Sequence, residues 1–335
     1  MIELIVIVFV TSLLIGWVLN ILALRITSRW KVLSKFDQAK SREISRLGGV
    51  AIFISFLIPL IYFGSAYIVF NLKVWSLIGT MLLIFLLGLG DDIKELNPWV
   101  KLTGQIIVVS FLIFAGLKTK IIMVSPLINV LITFLWIVGI TNAINLLDIL
   151  DGLAAGLVAV SGLAFLVIAW LTSDILVAIL TASLLGSTLS FLKFNFPLAR
   201  IYMGDMGSGF LGFTLAVVAI LLSYATPEHK LALLVPLFVL GLPIVDLAFV
   251  VFRRLSKRKS IIRKSKDHFV LYLIQQKYSL KRTIFTMYLI SILFAVSAVL
   301  VLKVSDVLGI IIAVIAVSIC LAMAYKFRRT NINVS

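Results

Sequence analysis

Charge is scarce in this chain, and so are the residues that staple or punctuate a soluble fold. Charged side chains make up 13% of the 335 residues, too few to dress the surface of a water-soluble domain. The one cysteine, Cys320, excludes an intramolecular disulfide and reads as a small apolar packing residue in the last span. No Gly-Lys-Ser/Thr follows the glycine-rich stretch from Gly204 to Gly209, so a Walker phosphate loop is excluded. Low-complexity stretches and internal repeats are missing. The first apolar run has no basic residues ahead of it, carries Glu3, and is followed by Arg25 and Arg29. A cleaved signal peptide shows the reverse order, so this run is expected to stay as a span.

What fills the chain is apolar: 62% hydrophobic residues and a mean hydropathy of +1.20. An all-α, polytopic integral membrane protein follows, because a span needs ~20 apolar residues. Eleven candidates can be read, at 2–24, 47–70, 74–90, 100–117, 127–147, 153–172, 174–192, 209–224, 231–252, 283–302 and 306–325. They are expected to form one transmembrane domain over 1–335. Counting Lys and Arg in alternate loops puts 25 on one side and five on the other, which recovers all 30. By the positive-inside rule the rich side is cytoplasmic, with the N-terminus outside and the C-terminus inside. The net charge of +16 therefore speaks for anionic lipid rather than nucleic acid.

Three polar clusters interrupt the apolar runs: 88–105, 141–152 and 193–209. With the basic loop 253–282, all fall on the cytoplasmic side. Asp91 and Asp92 close the third span, Asp148 and Asp151 follow the fifth, and Asp205 precedes the eighth. A transporter more often keeps its ionisable groups near the midplane; here only Asp246 lies well inside a span. Carboxylates beside Lys and Arg at one water boundary suggest a divalent metal and a phosphorylated substrate. Mg²⁺ takes oxygen ligands and keeps waters and substrate phosphate oxygens, so one or two protein carboxylates suffice. Taken singly, each cluster has a plainer reading. An Asp-Asp pair reads first as solvated loop carboxylates. Asn142 and Asn145 in an apolar run suit interhelical hydrogen bonding. The segment from Gly204 to Gly209 reads as a flexible loop before a span, able to offer backbone N–H groups to an anion.

Together the clusters resemble the polyprenyl-phosphate N-acetylhexosamine-1-phosphate transferases, a membrane family related to phospho-MurNAc-pentapeptide translocase. The resemblance runs from about residue 46 to 282. It begins at Arg46-Leu47-Gly48-Gly49 and continues through Asp91-Asp92 with Pro98, Lys101 and Gln105. The Asn142, Asn145, Asp148 and Asp151-Gly152 series follows, then Pro197, Gly204-Asp205, Gly207-Ser208, Pro243, Asp246, Arg253-Arg254 and His268. Two departures stand out. The family's Asp-Gly-x-Asp-Gly reads Asp148-Ile149-Leu150-Asp151-Gly152, and its histidine cluster is reduced to His268, with Val270 and Leu271 following. Ser45-Arg46-Leu47-Gly48-Gly49 looks like the GlcNAc-type branch rather than the translocase.

The resemblance implies transfer of a hexosamine-1-phosphate, GlcNAc-1-phosphate first, from a UDP-N-acetylhexosamine to undecaprenyl or dolichyl phosphate, with release of UMP. This would be the first membrane step of cell-surface glycan or glycoprotein assembly, in the plasma membrane. It implies Mg²⁺, or Mn²⁺ in its place, on Asp205 and one of Asp91 or Asp92. Asp148, Asp151 and His268 are the other catalytic candidates, with Asp91 as a base only secondarily. Lys101, Asn142, Asn145, Gly204, Arg253, Arg254, Arg263 and Lys264 are the substrate-binding candidates. A homodimer is the assembly left open. The residues 268–278, apolar and flanked by basic residues, are expected as a short interfacial helix, and His268 has a surface histidine as its alternative. Phospho-MurNAc-pentapeptide transfer, a transporter, or an inactive assembly protein are the competing readings.

Overall fold

The computed structural model describes residues 1–30, 33–37, 42–222, 233–258, 268–304, 307–312, 314–316 and 318. Helix dominates, as the composition demands. In chain order come α1 (Ile2–Trp30), a hairpin of β1 (Ser34–Asp37) and β2 (Arg42–Ser45), α2 (Gly48–Tyr67), α3 (Leu72–Ile93) and α4 (Pro98–Phe114). Then follow α5 (Pro126–Leu147), α6 (Leu153–Leu171), α7 (Ile175–Asn195), α8 (Gly204–Leu221), α9 (Val235–Val239), α10 (Gly241–Ser256), α11 (Phe269–Gln275) and α12 (Leu280–Val301). Among the described residues the one sheet is this antiparallel hairpin, with Ser34 opposite Ser45 and Asp37 opposite Arg42.

Among the described residues, eight helices are long and apolar enough to cross a membrane: α1, α2, α3, α5, α6, α7, α8 and α12. The chain is thus a polytopic helical membrane protein. Helix α4, at 17 residues, is shorter. The run 231–252, read as one span, is broken at Leu240 into α9 and α10. Pro243 explains the break, since it has no N–H to give the Val239 carbonyl four residues back. Half of the last run, 306–325, lies outside the described residues, as do Arg263, Lys264 and Cys320.

Contacts gather into two compact units, residues 1–222 and 223–335. In the first, α7 packs against α1, α2 and α6, while α8 packs against α2, α3 and α5. Small residues make this closeness possible, as expected for helices that gain little from hydrophobicity inside lipid. Gly186 lies against the Phe9–Leu13 backbone, and Gly16 against Ser190. The Ser12 hydroxyl sits 2.8 Å from the Ser55 carbonyl and 2.7 Å from that of Ser183, tying three helices together.

Local chemistry sets the helix starts that matter here. Asn97 accepts the Trp99 N–H at 2.9 Å and Pro98 occupies the first turn, so α4 begins only a few residues after α3 ends. Ser125 and Pro126 do the same for α5. In the second unit, α12 packs against α9, α10 and α11. Helix α11 buries Phe269, Val270, Tyr272 and Leu273. It is a short helix, as the sequence suggested, packed on one face against α12 of that unit.

Candidate active site

Four helix ends meet at one end of the first unit: the C-termini of α3 and α5 and the N-termini of α4 and α8. The sequence clusters expected as loops are mostly these ends. Gly88 lets α3 in close, because a Cβ there would overlap the Asp205 and Met206 backbone. Gly204 adopts φ +68° beside the Asp92 carboxylate, a conformation and a space that suit only glycine. The segment from Gly204 to Gly209, expected as a flexible loop, is instead the opening of α8. The reason lies across the interface. Asp92 Oδ2 accepts the Met206 N–H at 2.9 Å and the Asp205 N–H also donates to this carboxylate, so a neighbouring helix caps α8.

The two adjacent aspartates therefore do different things. Asp92 holds α8, and its Oδ1 faces Arg46 Nη1 at 3.5 Å. Asp91 points elsewhere: Oδ1 accepts the Leu96 N–H at 2.8 Å, and Oδ2 accepts from Lys101 Nζ at 2.9 Å. The same ammonium donates to Asp205 Oδ1 at 2.8 Å and lies 3.4 Å from Asn145 Oδ1. Asn145 Nδ2 donates to Asp205 Oδ1 and, at 2.8 Å, to Ser208 Oγ. Lys101 is 16% exposed and Asp205 25%, so the cluster is sheltered yet open to water.

Asp148 sits just past α5 and keeps part of its surface in contact with solvent, although protein surrounds it closely. Its carboxyl is raised well above the usual range, first by burial, then by the negative charges of Asp205, Asp92 and Asp151. The family glycine missing after Asp148 is not required by this backbone, since Ile149 is not among the residues with positive φ.

Other candidates make contacts outside the Lys101 cluster. Asp151 Oδ2 accepts the Ala199 N–H at 2.9 Å and holds the segment before α8. Asn195 assists by accepting the Gly152 N–H and donating to the Ile201 carbonyl. Asn142 pairs with Gln105, its Nδ2 donating to Gln105 Oε1 at 2.7 Å, so it joins α5 to α4 rather than reaching Lys101.

In the second unit, His268 is fully buried, which removes the surface-histidine alternative. Its Nδ1 lies 2.8 Å from Asp246 Oδ2, while Asp246 Oδ1 accepts the Phe269 N–H at 2.9 Å. The other ring nitrogen, Nε2, is buried and has no hydrogen-bond partner among the described residues. Arg253 and Arg254 are buried in the last turn of α10. Sequence reasoning named Asp246 without giving it a role. The available signal was a single carboxylate inside an apolar run, which demands a partner.

No group of three or more His, Cys, Asp or Glu side chains among the described residues forms a ready-made metal cage. The donor set nevertheless fits a hard divalent cation that keeps waters and phosphate oxygens, because Asp91 and Asp205 already converge on one cationic centre.

Comparison with known proteins agrees with this geometry. The model of Glycosyl transferase family 4 matches residues 74–223, which include all four helix ends. A probable undecaprenyl-phosphate N-acetylglucosaminyl 1-phosphate transferase of Bacillus subtilis is 32% identical over 308 residues, covering 88% of this chain and 84% of that protein. The phospho-N-acetylmuramoyl-pentapeptide-transferase of Halalkalibacterium halodurans is 32% identical over 278 residues, with 76% and 82% covered. Its counterpart in Levilactobacillus brevis is 34% identical over 215 residues, with 58% and 65% covered. On this similarity, and with the family's polar residues gathered at one end of the first unit, the chain belongs to glycosyl transferase family 4.

Proposed function

We propose that this protein transfers GlcNAc-1-phosphate from UDP-GlcNAc to undecaprenyl phosphate at the cytoplasmic face of the membrane, releasing UMP. The observation that carries the reading is the Lys101 ammonium shared by Asp91, Asp205 and Asn145, residues drawn from three separate polar clusters. An oxygen of the lipid phosphate forms a bond to the β-phosphorus of the sugar nucleotide. The bond from that phosphorus to the bridging oxygen breaks, and the oxygen leaves with UMP. Such chemistry asks the protein chiefly for positioning and charge neutralisation. The lipid phosphate monoester is already largely ionised near neutral pH, with a second pKa of ~6, so no strong base is needed.

Lys101 neutralises phosphate charge, Asn145 orients Asp205, and Asp92 keeps α8 in place. Asp91 and Asp205 would hold Mg²⁺, which when bound supplies charge neutralisation to the diphosphate. His268, Arg253 and Arg254 belong to substrate recognition on this reading. A single catalytic domain over both units, eleven spans and an outside N-terminus complete it, supported by the 25-to-five split of basic residues.

The GlcNAc choice rests on Ser45-Arg46-Leu47-Gly48-Gly49 and on the long match to the Bacillus subtilis relative. The test is UMP release by purified protein with undecaprenyl phosphate, Mg²⁺ and either UDP-GlcNAc or UDP-MurNAc-pentapeptide. Release with UDP-GlcNAc that stops on chelation is expected. Release only with the pentapeptide substrate overturns the sugar, and no release with either overturns the reaction.

A further inference from the structure

We propose that the groove between α3 and α4, at the end of these helices away from the Lys101 cluster, seats an acyl chain of an anionic phospholipid whose phosphate meets Lys73. This site is independent of the reaction proposed above.

The groove has a volume of about 550 Å³, within the range of pockets that bury a small apolar ligand. Helix α3 lines it with Leu72, Leu82 and Leu83, and α4 with Phe111, Phe114 and Ala115. From Leu72 to Leu83 it runs ~17 Å along α3, about half of the ~30 Å hydrocarbon core of a bilayer. That is the depth of one leaflet. Its two polar side chains are Ser76 and Thr80, and the Thr80 hydroxyl is turned back on the Ser76 carbonyl at 2.8 Å. Walls of this kind suit hydrocarbon.

Two observations choose the occupant. The first is that the groove stops short of the candidate active site. Between the two, α3 and α4 close up, since a Cβ on Gly104 would come within 2.9 Å of the Leu87 side chain. A prenyl tail whose phosphate sits at Lys101 therefore has no continuous path along this helix pair into the groove. The second is that the mouth is basic. Lys73 follows Leu72, and its Cε lies 3.6 Å from where a Cβ on Gly116 would be, so its stem crosses from α3 to the residue after Ala115. Lys118 and Lys120 follow on a segment that α5 holds in place. Asn129 Oδ1 accepts the Ile121 N–H at 2.9 Å, and Thr133 Oγ1 accepts the Thr119 N–H at 3.0 Å. No acidic residue occurs between Glu43 and Asp91, or between Glu95 and Asp148. A basic mouth on an apolar groove between helices selects an anionic headgroup.

Gly79 supplies the test, because it lines the groove and a Cβ there meets no atom within 4 Å. Native mass spectrometry of the full-length protein, titrated with phosphatidylglycerol or phosphatidylcholine of matched chains, reads the outcome. Wild type should hold one phosphatidylglycerol at least roughly fivefold more tightly than phosphatidylcholine, and Lys73→Gln should remove about that factor, the worth of one cation at an anionic lipid surface. Gly79→Leu should weaken binding roughly tenfold, the worth of about two buried methylenes, whereas Gly79→Ala should cost less than about twofold. A phosphatidylglycerol with a diazirine on its acyl chain should label residues within 72–83 or 111–115.

Equal affinity for the two lipids in wild type, or labelling confined to other helices, would overturn the proposal. Displacement of the bound lipid by undecaprenyl phosphate would overturn it by making the groove part of the substrate's path. A dimer lost in Gly79→Leu, with lipid binding unchanged, would give the groove to a second copy of the chain. The wild-type titration and labelling decide the matter even if Gly79→Leu fails to fold. UMP release enters neither readout, so a failure of the proposed reaction leaves this site standing.

Discussion

The cluster around Lys101 and the pair made by Asp246 and His268 solve the same problem, placing charge next to apolar helices, in opposite ways. The first is a network drawn from four helix ends over more than a hundred residues of sequence, with Lys101, Asn145 and Asp205 each touching two or more others. It is partly open to water. The second is a closed pair, separated by 22 residues and 1% exposed on each side. Networks share a loss among their members, whereas a two-membered pair loses its function with either partner. The difference is between a shared network that water reaches and a dry contact of two residues.

The largest effect should come from the network's centre. Asp205→Asn removes a charge with little change in volume and is expected to lower kcat by roughly 10²–10³, the usual cost of one preorganised electrostatic group. Mg²⁺ dependence of UMP release should weaken in parallel. Turnover near wild type at low Mg²⁺ would break the comparison, because the cluster would then be structural like its neighbours.

A smaller effect, on stability, is expected at Asp148. Its carboxyl is raised, chiefly by burial and then by Asp205, Asp92 and Asp151, so the folded protein favours the protonated form. The stability tied to that proton is fully present below the ordinary carboxyl range and is lost as pH rises through the raised value. Asp148→Asn cannot ionise. It should melt with wild type at acidic pH and at a higher temperature than wild type at alkaline pH, as read by thermal unfolding in detergent. An equal shift at all pH values would show that Asp148 does not feel the network.

The smallest effect marks the network's edge. Asn142→Ala breaks the amide pair with Gln105 and should cost about 0.6 kcal/mol of stability, with ~1.7 as a ceiling for interhelical hydrogen bonds of this kind. UMP release should stay within about threefold of wild type by the same reasoning. A loss as large as that of Asp205→Asn would place Asn142 inside the network after all.

Much of this molecule was legible without coordinates. The apolar runs, the caps at Asn97 and Ser125 and the polar clusters are local features, readable from hydropathy and residue type. Each of the first eight apolar runs is a helix in the structure, shifted by a few residues at the ends. The break at Leu240 was legible too, in Pro243, although the run was read through it. The opening turn of α8 was not, because the carboxylate that caps it comes from Asp92, 114 residues away.

Composition and order therefore determined the membrane class, the helical content and the short list of charged candidates, since hydrophobic burial and helix capping act over a few residues. Only the tertiary structure decided which candidate does what. Neighbouring residues on a helix point about 100° apart, so packing alone sends Asp91 to Lys101 and Asp92 to the α8 backbone. Packing likewise sets Asn142 on Gln105, crowds Asp148 with like charge, and buries His268 against Asp246, because those outcomes depend on which helix end arrives beside which.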